Sequence, residues 1–190
     1  MSALGDTLAT LARVLDERGL GWYVFGAQAV AIRGAPRATQ DVDITVAVPH
    51  QDLADLLEAL RRAGLAQRYP DQFEELLAAG AVIPLCHASG MEVDLVVAGS
   101  GLEQLTLARA ERVNVEGTNV PVAHATDLVV MKVLAGRGKD LDDVRSLLAT
   151  GDVDVDEAKD LLGQLEQALG QSDLVPALDL AVREVGAWVE

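Results

Sequence analysis

The stretch Asp41-Val-Asp-Ile-Thr-Val-Ala-Val48 constrains the fold of this chain more than any other. Polar and apolar residues alternate there with period two, and the run stops at Pro49. That is the pattern of a strand with one face in a core. Val42, Ile44 and Val46 take the core face, so Asp41 and Asp43 point together to the other. Two like charges side by side are unfavourable unless something cationic lies between them. Hard carboxylate oxygens suit Mg²⁺, which takes one or two carboxylates and leaves its other positions to water and phosphate. A chain with 30 acids produces Asp-x-Asp by chance as well, so the surroundings must decide.

The surroundings are specific. Upstream, the β-prone run Trp22–Phe25 ends at Gly26, and a short helix over Ala27–Arg33 follows, closed by Gly34 and Pro36. Downstream, Met91–Val97 carries a third acid, Asp94, with Glu92 on the same face. If that strand lies beside Asp41–Val48, three carboxylates converge.

The rest of the chain alternates similar elements. Leu4, Leu8, Leu11, Ala12 and Leu15 recur at helical spacing up to Gly19. Asp52–Ala63 is an amphipathic helix with Asp52 at its N-cap and Gly64 at its end, and Gln72–Ala79 is helical too. Ala81–His87 and Met91–Val97 form a hairpin about Ser89-Gly90. A helix over Gly101–Ala110 comes next, then a second hairpin, Arg112–Val115 and Val120–Val122, about the turn Gly117-Thr-Asn119. Thr126 is expected to cap a helix through Ala135, and Lys139–Leu148 is another. Two acidic amphipathic helices occupy roughly 154–188. The order predicts an α+β fold, a mixed β-sheet flanked by helices with C-terminal helices.

Charge divides the chain unevenly. The net charge is −15, a field that repels nucleic acid and anionic membranes. Residues 151–190 carry ten acids against Lys159 and Arg183, whereas 126–150 balance four acids with Lys132, Arg137, Lys139 and Arg145. Two of the chain's three lysines lie in that neutral block. We therefore expect a core domain over 1–150 and an acidic helical extension over 151–190. A single cysteine, Cys86, rules out an internal disulfide. With no signal-like N-terminus and no apolar run of about 20 residues, the sequence reads as soluble and cytoplasmic, without a membrane partner.

A second acidic run, Asp152-Val-Asp154-Val-Asp156, resembles a calcium loop only superficially. Glu157 stands where that loop needs glycine and Gly163 where it needs a bidentate glutamate. It reads as a loop and helix N-cap, where acids meet the positive end of the dipole. His50, His87 and His124 form no metal-spaced pair, Cys86 reads as a small core residue, and Trp22 and Tyr23 as packing.

Taken together, Phe25-Gly26-Ala27, thirteen intervening residues, Asp41-Val-Asp43-Ile and the later Asp94 resemble the nucleotidyltransferase superfamily that includes DNA polymerase β. Within it the chain is most similar to the minimal bacterial group around AbiEii-type toxins and small antibiotic nucleotidyltransferases. Arg37-Ala-Thr39-Gln-Asp41-Val-Asp43, the run up to Ala125-Thr-Asp127-Leu-Val-Val-Met-Lys132, and Arg137-Gly-Lys139-Asp140-Leu-Asp-Asp143 carry that likeness over about residues 20–150.

The resemblance implies transfer of a nucleotidyl group from a nucleoside triphosphate to a hydroxyl, with Mg²⁺ or Mn²⁺ held by Asp41, Asp43 and Asp94. Asp94 would hold the catalytic metal or act as general base. Gly26 and the amide of Ala27 would approach the phosphates, with Arg37, Thr39, Lys132 and Lys139 as further nucleotide contacts and Asp140 and Asp143 orienting the cations. The acceptor would be a small molecule, a protein or a tRNA end, and a cognate antitoxin protein is a possible partner. Ala27 departs from the Ser or Gly usual in relatives. It keeps the amide and loses a hydroxyl, a change worth about 1–3 kcal/mol of phosphate binding. The alternative reading is therefore a catalytically weak module of the same fold that binds nucleotide or a partner.

Overall fold

The computed structural model describes residues 2–35, 39–78, 82–99 and 101–186, with nothing stated of the side chains at 74, 77 and 78. Backbone contacts divide the chain into two compact units, and they part elsewhere than the charge does. The first is Met1–Gln28 with Ala38–Ala123, and the second is Ala29–Arg37 with His124–Glu190.

The first unit holds a seven-stranded mixed sheet. Its elements are α1 (Ala3–Glu17), β1 (Trp22–Phe25), β2 (Asp41–Val46), α3 (Leu53–Arg62), β3 (Leu65–Gln67), α4 (Phe73–Ala78), β4 (Ile83–His87), β5 (Glu92–Val97), α5 (Gly101–Arg109), β6 (Glu111–Val115) and β7 (Thr118–Val122). The spatial order is β3-β4-β5-β2-β1-β7-β6. Strand β2 runs antiparallel to β1 and parallel to β5. One face of the sheet is the core: Val24, Val42, Ile44, Val46, Leu85, Val93 and Leu95 are fully buried. Helix α1 begins at Ser2, whose hydroxyl accepts from the Gly5 amide.

Two expectations for this unit need correction. Strand β3 is absent from the sequence reading. At three residues it is too short to show a period, and its backbone pairing with β4 holds it. The second hairpin turns at Glu116-Gly117 rather than Gly117-Thr-Asn119, with Val115 opposite Thr118. A two-residue turn of this hand needs positive φ at both positions. Gly117 supplies one (φ 89°), and Glu116 takes the other (φ 49°) while its carboxylate accepts from the Ser2 hydroxyl at 2.7 and 2.8 Å.

The second unit contains α6 (Ala125–Ala135), α7 (Gly138–Thr150), α8 (Val155–Leu169) and α9 (Leu174–Gly186). Leu128, Val129, Val130, Val133, Val144, Leu147, Leu162 and Leu178 pack them together. His124, not Thr126, caps α6: its ring accepts from the Thr126 amide. Thr126 is instead buried and its hydroxyl accepts from the Asp154 amide at 3.0 Å. Asp154 in turn caps α8 by accepting from the Glu157 amide at 2.9 Å, in line with the capping role read for this acidic run. Helix α2 (Gly26–Ile32) starts directly at the end of β1. No helix among the described residues is long and apolar enough to cross a membrane.

Candidate active site

Strand register assembles the carboxylates. In the parallel pair β2–β5, Asp41 lies opposite Glu92 and Asp43 opposite Asp94, and on the other side Phe25 of β1 lies opposite Asp43. Side chains that face one another across adjacent strands stand on the same face, with backbones about 5 Å apart. Four carboxylates therefore share the face opposite the core, and all four are half-buried. Asp41, Asp43 and Asp94, chosen from sequence, come together here. Glu92 joins them.

Gly26 is required where it sits. Its φ is +66°, and a Cβ built there would lie 1.8 Å from Asp43 Oδ2 and 2.6 Å from its Cγ. Any side chain at this position meets both a backbone penalty and the carboxylate itself. Ala27, already within α2, is half-buried. The Thr39 hydroxyl donates a short hydrogen bond to the Asp41 carboxylate and lies 3.3 Å from the Asp41 carbonyl, so it fixes the orientation of that acid. Arg37 lies outside the described residues.

Asp94 carries the electrostatic cost of this crowding. Burial, helped by the charges of Asp41 and Glu92, pushes the Asp94 carboxyl above the ordinary carboxylate value, and Arg68 only partly offsets the push. A bound divalent ion would reverse that balance, and the donor set, hard oxygens only, fits Mg²⁺ or Mn²⁺. Among the described residues no group of three or more acid, imidazole or thiol side chains is gathered closely enough to hold a metal ion as it stands.

Lys132 and Lys139 belong to the second unit. Lys132 is 7% exposed, and its ammonium donates to Asp140 Oδ1 at 3.0 Å and meets Asp143 Oδ2 at 2.8 Å. Arg137 donates to both oxygens of Asp140 (2.5 and 3.2 Å). Burial opposes the charge on Asp140, but the bonds from Arg137 and Lys132 outweigh it and hold the carboxyl below its usual value. Lys139 is exposed on α7.

Of the residues passed over on sequence grounds, Cys86 is half-buried opposite Glu92 rather than in the core, because its parity on β4 turns it to the other face; the others have ordinary surroundings. Trp22 is buried and donates to Asp16 at 2.9 Å, Tyr23 is buried against Phe25, and His87 bonds the hydroxyls of Ser89 and Thr10. Two neighbours of the site escaped the sequence reading. Arg68 pairs with Glu92 at 2.7 Å, and its guanidinium lies over the Tyr69 ring, 5.4 Å from the centroid. An Arg-Tyr-Pro run in a connecting segment was the available signal, and it has no period to distinguish it.

The fold agrees with solved structures of the kind the motifs suggest. ANT(2")-Ia in complex with adenylyl-2"-tobramycin superposes with a TM-score of 0.57 at 14% identity, covering 88% of this chain and 99% of that one. An antigenic nucleotidyltransferase-like protein from Paracoccidioides brasiliensis gives 0.56 at 22% identity, covering 94% of each chain. The lincomycin-bound lincosamide antibiotic adenylyltransferase LnuA gives 0.51 at 12%, covering 77% of this chain and 96% of that one. At these identities the likeness speaks for the fold alone. No curated protein sequence is significantly similar. Residues 6–173 match the family described as nucleotidyltransferase of unknown function (DUF6036), and over that span the chain belongs to this nucleotidyltransferase family.

Proposed function

We propose that the protein transfers a nucleoside monophosphate from a nucleoside triphosphate to the hydroxyl of a small-molecule acceptor, using the β2–β5 carboxylates. The observation that supports this most is the register that sets Asp43 opposite Asp94 with Asp41 two residues away, beside a Gly26 that has no room for a side chain. A divalent cation held by Asp41, Asp43 and Asp94 would polarise the phosphate and stabilise the departing charge. Asp43, pressed against Gly26, anchors the nucleotide side of the site. Asp94, on the far side, receives the proton of the attacking hydroxyl. The new bond joins acceptor oxygen to α-phosphorus, and the bond from α-phosphorus to the pyrophosphate oxygen breaks.

Thr39 keeps Asp41 aimed, and the amide of Ala27 meets a phosphate oxygen without a hydroxyl to help it. Arg37 and Lys139 are the proposed triphosphate cations. Lys132 is read as the buried structural cation of Asp140 and Asp143 in the helical unit. A small acceptor is favoured over RNA by the net charge of −15, and the solved neighbours that carry ligands hold tobramycin and lincomycin derivatives or parent compounds.

The test is incubation with Mg²⁺, each α-labelled triphosphate and a small-molecule extract, beside the Asp41→Asn/Asp43→Asn variant. Label transfer with pyrophosphate release in the wild type only is the expected result. Triphosphate binding without any transfer would leave a binding module instead.

A further inference from the structure

The carboxylate face holds one acid more than the transfer scheme uses. Asp41 stands opposite Glu92 and Asp43 opposite Asp94, so the four acids form a two-by-two array across β2 and β5. Backbones of adjacent strands are about 5 Å apart, and a glutamate reaches one methylene further than an aspartate. Parity alone would therefore offer Glu92 to any cation held by Asp41, Asp43 and Asp94. Its carboxylate is engaged elsewhere: Glu92 Oε2 accepts from Arg68 Nη1 at 2.7 Å.

Arg68 is held in place from two further directions. Its amide donates to the Pro84 carbonyl at 2.9 Å, which fastens the residue beside β4 just past the end of β3. Its guanidinium lies over the Tyr69 ring, 5.4 Å from the centroid. An ion pair between two free surface side chains contributes little, because both must be ordered to form it. Here the arginine is already ordered by a backbone bond and a ring contact, so the pair costs less entropy. The direction of the pull is set as well. Strands β4 and β3 lie on the side of β5 away from β2, so Arg68 draws Glu92 away from Asp41.

We propose that Arg68, by holding Glu92 aside, makes this face select Mg²⁺ against Ca²⁺; this rests on the metal site proposed above. The two ions differ in what they ask of a site. Mg²⁺ takes one or two carboxylates at about 2.1 Å and fills its other positions with water and phosphate. Ca²⁺ takes roughly six to eight oxygens at about 2.3–2.6 Å in a more flexible geometry, so an added carboxylate favours it. A further acid on a longer side chain is a ligand the larger ion can use and the smaller one cannot without giving up water or phosphate. Arg68 is a positioning residue here, since it acts through Glu92 and touches no reacting atom.

The test measures Kd for Mg²⁺ and for Ca²⁺ on the full chain, by displacement of Mn²⁺ followed in its EPR spectrum. The ratio of the two constants is the quantity read. Both ions carry the same charge, so a purely electrostatic effect of Arg68 moves them together and leaves the ratio alone. In Arg68→Gln, Ca²⁺ is expected to gain about tenfold on Mg²⁺ relative to wild type. Arg68→Gln/Glu92→Gln is expected to return the ratio to its wild-type value, and Glu92→Gln alone to leave it there. A ratio that Arg68→Gln does not move overturns the inference, as does a shift that persists in the double variant. A shift in Glu92→Gln alone overturns it too, because Glu92 would then be a ligand already. That single variant leaves the Arg68 backbone bond intact, so it decides the matter even where Arg68→Gln loosens β3. Mn²⁺ binding that is absent, or that Asp41→Asn/Asp43→Asn does not weaken, overturns the carboxylate site first and this inference with it.

Discussion

The molecule gathers acids in two places, and the two gatherings have opposite electrostatics. On the β2–β5 face, Asp94 is pushed above the ordinary carboxylate value by burial and by its acidic neighbours. In the helical unit, Asp140 is more deeply buried and yet held below that value, because Lys132 and Arg137 both bond it. In the helical unit the compensating cations are covalently part of the chain. On the sheet face Arg68 pairs with Glu92 and only partly offsets the push on Asp94. An acid cluster whose cation is built in is a structural joint. The sheet face is the cluster proposed above to bind a metal.

This contrast can be broken experimentally, and the largest effect belongs to the sheet. Asp41→Asn/Asp43→Asn is expected to lower nucleotidyl transfer by about 10³-fold or more, the several kcal/mol of charge stabilisation a metal supplies, while denaturant unfolding is unchanged or shifts to higher stability. A loss of stability in that variant would mean these acids are a joint after all.

Lys132→Ala is the reciprocal case. It leaves Asp140 and Asp143 buried without their shared cation, and should destabilise the protein by about 3–5 kcal/mol in urea unfolding. A fall in activity with the urea midpoint unmoved would place Lys132 in catalysis instead.

Gly26→Ala comes next. The added Cβ meets the Asp43 carboxylate at 1.8 Å and the backbone stays at φ +66°, so about 1–3 kcal/mol of stability is expected to go. Transfer should fall with it, because the displaced group is Asp43. Full activity and stability in this variant would show that the carboxylate can rotate away freely.

The smallest effect is a pH dependence of opposite sign in the two clusters. Asp94 is raised in the fold, so its contribution to stability is present below the unfolded value of about 3.9 and is lost as pH rises through the folded one. Asp94→Asn should therefore gain in Tm relative to wild type as pH climbs from acid toward neutrality, and Mg²⁺ should raise the Tm of wild type more than that of the variant. Asp140 is lowered, so its contribution is present above about 3.9 and lost as pH falls through the folded value. Asp140→Asn should show the reverse trend. Parallel trends in the two variants would dissolve the distinction.

Much of the fold was legible because it rests on local pattern. The period-two run at Asp41 became β2, though it ends at Val46 rather than Val48, and the glycine after Phe25 became the turn into α2. The acidic run at 152–156 became a cap because Asp154 needs only its own neighbours to bond the Glu157 amide. What escaped depends on residues distant in sequence. The three-residue β3 exists because β4 pairs with it. Thr126 gave up the cap because its hydroxyl meets an amide 28 positions away. Arg68 joined the site because Glu92 lies two strands across, 24 positions later.

The carboxylates show the same division. By itself the sequence determined that Asp41 and Asp43 share a face, since alternation is a property of any extended backbone, and that a glycine precedes them. Only the tertiary structure decided how the acids of the later strand stand against that pair. Asp94, taken as the third acid from the sequence, shares its parity with Glu92, and the parallel register set Asp94 against Asp43 and Glu92 against Asp41. Hydrogen bonds between β2 and β5 fix that register, and a slip of one residue would turn every side chain of β5 to the other face. The same register carried Glu92 to Arg68, a pairing that no spacing along the chain encodes.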